Sequence, residues 1–253
     1  MQFAIVYSLK DEAGKNIVNQ LKQFYLPQFP IFELKKETIF SENFGKDSKF
    51  KNIDFIIFAS KHKSESKKPA LSLHAPGNFR NADFGGKPGK ICKTSAFVMK
   101  YLFKKLNENA EKEKLKDYEI TLECTHHGPL INKPCCFIEL GSSEEQWKDE
   151  SAAKIIAKTI ASLQDFNEHD PKIKSWIPSI GIGGPHYCPG FNKIQLDSNY
   201  AISHIIPSYS FPITESMLRE AIEKTQESLS NAILDWKSFN SDEREKTINL
   251  LKK

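Results

Sequence analysis

Residues 3–24 read FAIVYSLKDEAGKNIVNQLKQF. The first six positions are a compact β-branched and aromatic run, short enough to be a buried strand. From Asp11 onward Ile17, Val18, Leu21 and Phe24 recur at helical spacing, so the strand is followed by an amphipathic helix. The alternation repeats outward along the chain. Apolar runs at 53–60, 118–124, 135–140, 176–182 and 200–206 predict further strands, and periodic stretches at 95–106 and between Trp147 and Leu163 predict helices. Ser142 with Glu145 forms a capping box for the second of these, and Thr214 and Ser241 cap two terminal helices. This pattern predicts an α/β fold whose mixed, mostly parallel sheet is flanked by helices, with ligands bound outside the carboxyl ends of the strands. There is no internal repeat and no linker rich in Pro, Gly or Ser, so a single domain spanning 1–253 is expected. The polar, lysine-containing segments 40–51 and 60–68 read as the least ordered.

Composition is that of a globular protein, 39% hydrophobic and 27% charged, which excludes disordered and fibrous classes. No basic segment precedes the first apolar run and no stretch approaches 18 apolar residues, so a soluble, cytoplasmic protein is expected. The five cysteines form an odd set, and adjacent Cys135 and Cys136 on a strand must face opposite ways, which fits reduced thiols. Net charge is +4, but 61–105 holds ten lysines and Arg80 against only Glu65 and Asp83, leaving the rest of the chain acidic. A basic block of this kind suits a polyanion such as RNA, although 33 of the 36 basic residues are lysine, which a lysine-rich composition would also produce.

Six of the seven histidines lie in short motifs at or near the ends of apolar runs: Ser60-Lys61-His62, Leu73-His74-Ala75-Pro76-Gly77-Asn78, Thr125-His126-His127-Gly128-Pro129, Gly183-Gly184-Pro185-His186-Tyr187 and Ser203-His204. Histidines at several strand mouths converge on one crevice, as a catalytic or metal site requires. His126 and His127 can both serve only if the chain leaves strand geometry there, which Gly128-Pro129 permits; otherwise one acts and the other packs. No contiguous His-Glu-x-x-His signature is present, so metal binding is read from convergence. Glu139, within Phe137-Ile138-Glu139-Leu140, is a buried carboxylate that needs a cation or a proton-transfer role; Glu123 is read as an ordinary half-buried strand residue. Gly183-Gly184 lacks a nucleotide-binding pattern and is read as letting backbone N–H groups approach a substrate or oxyanion. Pro76-Gly77-Asn78-Phe79 is read similarly, with Phe79 either stacking on a base or packing in the core.

Taken in order, Phe58-Ala59-Ser60-Lys61-His62, Lys68-Pro69-Ala70-Leu71, His74 with Gly77-Asn78, Thr125-His126-His127-Gly128-Pro129, Ile138-Glu139-Leu140-Gly141-Ser142-Ser143, Gly181-Ile182-Gly183-Gly184-Pro185-His186-Tyr187 and Asp235-Trp236-Lys237 resemble the archaeal and plant type of D-aminoacyl-tRNA deacylase across nearly the whole chain. Pro185, Phe79, Ser203 and Ser238 depart from that pattern. The resemblance implies an α/β fold similar in part to peptidyl-tRNA hydrolases and nucleoside phosphorylases. It implies a zinc-dependent hydrolase that cleaves the ester between a D-amino acid and the 3′ adenosine of tRNA. Zinc would then be held by some of His62, His74, His126, His127, His186 and Glu139, with His126, His127, Glu139 and His186 carrying catalysis. Lys61, Lys67, Lys68, Asn78, Phe79, Gly183 and Gly184 are the candidates for holding tRNA and substrate, and a monomer without membrane association is expected. Two rivals are a peptidyl-tRNA hydrolase-like metal enzyme acting on N-acylated aminoacyl-tRNA and a non-catalytic tRNA-binding protein with a structural metal.

Overall fold

The structure, a computed structural model, describes residues 1–42 and 48–252. In chain order the strands and helices are β1 (Phe3–Ser8), α1 (Glu12–Leu21), β2 (Ile31–Leu34), β3 (Phe55–Lys61), β4 (Ala70–His74), β5 (Gly77–Asn78), β6 (Lys90–Ile91), α2 (Ala96–Lys112), β7 (Glu119–Leu122), β8 (Cys135–Gly141), α3 (Glu144–Trp147), α4 (Glu150–Ala161), α5 (Pro171–Lys174), β9 (Ile177–Ile182), α6 (Pro189–Asp197), β10 (Tyr200–Ile206), α7 (Glu215–Glu223), β11 (Asn231–Leu234) and α8 (Ser241–Leu251). Of the segment 40–51 expected to be poorly ordered, residues 43–47 lie outside the described residues, while 48–50 form a 3-10 turn that buries Phe50.

A six-stranded sheet runs β2-β1-β3-β8-β4-β7, and a second, three-stranded sheet runs β10-β9-β11. Every neighbouring pair in both is parallel except β4 with β8. The fold is therefore α/β with a mixed, mostly parallel sheet. The two sheets share one buried cluster, in which Phe3, Ile57 and Ile138 of the first belong with Ala201, Ile202 and Ile205 of the second.

The first sheet's alternation sorts its side chains into two faces. Ile57, Ala59, Cys136, Ile138 and Leu140 face α1, α2 and α4 in the large cluster, whereas Ile56, Phe58, Cys135 and Phe137 join Phe50, Ile53 and Ile131 on the other side. The vicinal cysteines thus part to opposite faces, as their strand position requires, and all five cysteines are free and buried. Asp11 ties the first turn to the strand that leads into the site. Its carboxylate accepts from Gly14 N (2.8 Å) to cap α1, from Ser60 Oγ (3.0 Å) and from Lys61 N (2.9 Å).

Two caps fall one residue from their expected places. Ser143 N donates to Gln146 Oε1 at 3.1 Å to start the short α3, because Ser142 is drawn away to Lys68 O at 2.6 Å. The single helix expected from there is broken, α4 having its own cap in Asp149, whose Oδ1 accepts from Ser151 N and Ala152 N. Asn240 caps α8 in place of Ser241, its Oδ1 accepting from Glu243 N at 2.9 Å. Thr214 caps α7 as predicted. No helix among the described residues is long and apolar enough to cross a membrane.

Candidate functional site

Glu139 sits in mid-β8, registered with Ser60 of β3 on one side and Ser72 of β4 on the other. Because residues two apart share a face, His62 just beyond β3 and His74 at the end of β4 project on the same side as Glu139. Their rings come within 3.6 Å and 3.8 Å of Glu139 Oε2. The antiparallel placement of β4 is what brings His74 back over the sheet. The cluster therefore lies on the sheet's face rather than wholly beyond its carboxyl edge.

The chain does leave strand geometry at Thr125-His126-His127-Gly128. His127 has φ 44°, a left-handed conformation that costs a non-glycine residue about 1–3 kcal/mol and concentrates at functional sites. The turn sets the two imidazoles beside each other, 4.4 Å between ring centres, with His74 at 4.2 Å from His126 and 4.7 Å from His127. Each of these three rings has Nδ1 on a neighbouring backbone carbonyl: His74 on Ala75 O (3.2 Å), His126 on Cys124 O (2.8 Å), His127 on Gly128 O (2.6 Å). A carbonyl can only accept, so Nδ1 carries the proton and each Nε2 keeps a lone pair. His74 Nε2 is buried with no hydrogen-bond partner. These three imidazoles, each tethered at Nδ1 by a backbone carbonyl, offer ligand atoms within 4.8 Å of one another and form a group that could hold a metal ion.

The carboxylate side corrects the sequence reading of Glu123. It is not a half-buried strand residue but lies fully within the site, 3.0 Å from His62 Nδ1, 3.4 Å from His126 Nε2 and 3.2 Å from His186 Nε2. Its Oε1 is near His62 without hydrogen-bond alignment, leaving that oxygen unsatisfied. The signal was available: Leu122-Glu123-Cys124 isolates an acid among apolar neighbours just as Ile138-Glu139-Leu140 does. Burial by itself would raise the Glu123 carboxyl, but the hydrogen bond from His186 and the nearby imidazoles outweigh it and bring it down to about 2. Glu139 is likewise pushed up by burial and held down, on balance, by His62 and His74. Burial depresses His127 to about 4 and His126 well below its ordinary value. His186 behaves oppositely, since Cys124 and Glu123 overcome burial and lift it to about 10. Tyr187, absent from the sequence candidates, bonds His62 Nε2 through its hydroxyl at 2.6 Å.

His62, His126, His127, Glu139 and His186 line a cavity of about 1120 Å³, with His74 and Glu123 buried behind them, and the lining also includes Lys61, Lys67, Asn78 and Phe79. Asn78 is engaged, its Nδ2 donating to Gly85 O at 2.9 Å. Phe79 is only 5% exposed and packs among Ile91, Ile180 and Met217, which favours the core alternative. Lys68 is exposed outside the lining. Gly183 and Gly184 are also outside it: Gly183 N donates to Ile206 O at 2.8 Å and has no N–H left for an oxyanion. Their left-handed φ values, 100° and 79°, instead let the Asp235-Trp236-Lys237-Ser238 turn approach, with Ser238 Oγ 2.2 Å from where a Gly183 Cβ would stand. The basic block is no single surface, because Lys100 is buried on three carbonyls and Lys105 pairs with Glu108. Five of the six motif histidines meet at the site. His204 does not; it is buried between Thr125 Oγ1 and Lys224 O, and burial lowers it to about 4.

The profile of the D-aminoacyl-tRNA deacylase family matches residues 49–253. Proteins named D-aminoacyl-tRNA deacylase align along nearly the whole chain: that of Methanocaldococcus jannaschii is 34% identical, covering 98% of this chain and 95% of the relative, and that of Archaeoglobus fulgidus is 33% identical, covering 94% and 88%. A crystal structure described as a conserved protein of unknown function superposes with TM-score 0.88 at 31% identity, covering 99% of this chain and 92% of that one. The family profile spans most of the chain and the named relatives align nearly end to end, so the chain belongs to the D-aminoacyl-tRNA deacylase family.

Proposed function

We propose that this protein hydrolyses the ester joining a D-amino acid to the 3′ adenosine of tRNA, releasing free tRNA and the D-amino acid. It thereby acts in translation quality control. The observation that carries the reading is the trio His74, His126 and His127, each tethered at Nδ1 and offering ligand atoms within 4.8 Å of one another, with His126 and His127 lining a large cavity and His74 buried behind them, in a chain of this family. These three residues would hold a zinc ion, with Glu139 and the Glu123 group beside them. When bound, zinc supplies Lewis acidity to the ester carbonyl and to the attacking water.

The chain's own groups do the rest. Glu123 and Glu139 lie 3.0 and 3.6 Å from His62 Nδ1 and their charge favours the protonated imidazole against burial, while the Tyr187 hydroxyl bonds the other nitrogen. His186, with 40% of its side chain exposed, is placed to pass a proton between Glu123 and the leaving 3′ oxygen. Lys63 and Lys67, exposed beside the cavity, meet the phosphates of the acceptor end, giving an affinity that falls as salt rises, whereas the Lys61 ammonium is already paired with Glu37 Oε1 at 2.9 Å. The reading takes residues 1–253 as one domain acting as a cytoplasmic monomer.

The test is release of amino acid from D-tyrosyl-tRNA and L-tyrosyl-tRNA in parallel, before and after metal removal and zinc restoration. Hydrolysis of the D-ester alone, lost and regained with zinc, is the expected result. Equal cleavage of both, or cleavage only of N-blocked aminoacyl-tRNA, replaces it with the peptidyl-tRNA hydrolase-like reading.

A further inference from the structure

The cavity rim carries an exposed aromatic that the ester chemistry does not use. Phe84 lines the cavity yet is 66% exposed, and Phe40, also lining it, is 48% exposed. A lone surface phenylalanine is ordinary; one held rigidly to a catalytic turn is not. Phe84 O accepts from Gly128 N at 2.9 Å, directly after His127. The next two residues are fixed as well: Gly85 O accepts from Asn78 Nδ2 at 2.9 Å, and Gly86 N donates to Glu42 Oε1 at 2.6 Å. The other oxygen of Glu42 accepts from Leu130 N at 2.8 Å, so one carboxylate clamps the Phe84 loop to the histidine turn. Gly85 and Gly86 both have positive φ, and a Cβ on Gly85 would lie 2.0 Å from Ile39 O and 3.3 Å from the Phe40 ring. The two aromatic segments are packed together through a contact only glycine allows.

We propose that Phe84, with Phe40 beside it, is the platform on which the terminal adenine of the tRNA stacks. This rests on the deacylase reading and adds an element that binds the end of the tRNA. The adenine is joined to the same ribose as the scissile bond, so a ring fixed to Gly128 binds the chain end within reach of the histidines and contributes equally to ground and transition states. Every base offers a π face, and an exposed phenyl beside the rim cations Lys63 and Lys67 suits the end of a single strand. Asn78 and Glu42 are positioning residues for the platform.

The experiment is steady-state kinetics on D-tyrosyl-tRNA with Phe84→Ala, Phe84→Leu and Phe84→Trp. Removing the ring in Phe84→Ala should raise KM about tenfold to a hundredfold with kcat within about twofold of wild type. Phe84→Trp should restore KM, and Phe84→Leu, apolar without a π face, should not. An active wild type with KM unchanged in Phe84→Ala, or fully restored by Phe84→Leu, overturns the platform alone. A wild type that leaves D-tyrosyl-tRNA intact overturns the deacylase reading, and the platform with it. Melting temperatures of the three variants, expected to match wild type because the side chain is exposed, confirm that the loss is not one of folding.

Discussion

The two halves of the histidine cluster are held in different ways. His74, His126 and His127 each fasten Nδ1 to a carbonyl within two residues of their own position. His62, Glu123, Glu139 and His186 are held by one another, across β3, β7, β8 and the segment after β9. The first arrangement survives changes in its neighbours because the backbone sets each tautomer. The second is a mutual network of buried charge, in which removing one member leaves the others uncompensated. On the proposed reading, the site separates a rigid donor set from a proton-holding group that answers to its partners.

That contrast can be broken most directly at the donor set. Removing metal from the protein should lower D-tyrosyl-tRNA hydrolysis on the order of a thousandfold, and zinc should restore it. His126→Ala and His127→Ala should each lose the bound zinc, read by metal analysis, along with the rate. Full activity in both variants would show that the trio is not the donor set.

The carboxylate network should lose less, and unevenly. Glu123 contacts three imidazoles and Glu139 two at longer range, so Glu123→Gln should reduce kcat/KM more than Glu139→Gln, within about tenfold to a hundredfold. The opposite order, measured in the same assay, would return Glu123 to the structural role its strand position suggested.

Gly183 sharpens the comparison from outside the cluster. A Cβ there meets Ser238 Oγ at a backbone conformation with φ 100°, so Gly183→Ala should destabilise by about 1–3 kcal/mol and lower the melting temperature by several degrees. Activity per folded molecule should hold, because its N–H is already given to Ile206 O. A rate loss beyond the folded fraction would restore an oxyanion role. His204→Gln is the smallest perturbation: two hydrogen bonds are disturbed at about 1 kcal/mol, with zinc content unchanged.

Much of the frame was legible. The strands at 3–8 and 200–206 match β1 and β10 residue for residue, and Thr214 caps its helix where the pattern placed it. Period-2 and period-3.6 patterns and caps are local, and buried runs state them openly. The strand β4 was not legible: five residues behind a lysine-rich loop are too few to show a period, and no sequence pattern announces that it runs against β8. His204 and Lys100 misled for a related reason. A histidine at the end of an apolar run and a lysine on a polar-edged helix look alike whether they face a cavity or a neighbouring segment.

The sequence by itself determined the α/β alternation, the inventory of imidazoles in turns, and the glycine and proline that permit a bend after His126 and His127. Each depends on residues within a few positions of one another. The tertiary structure alone decided that Glu123 belongs with Glu139, that Gly183 and Gly184 serve the Asp235 turn, and that Phe84 rather than Phe79 stands at the cavity mouth. Those outcomes follow from the reversal of β4, the register across β8 and the hydrogen bonds between distant loops. They are relations between elements, which no local pattern in the chain encodes.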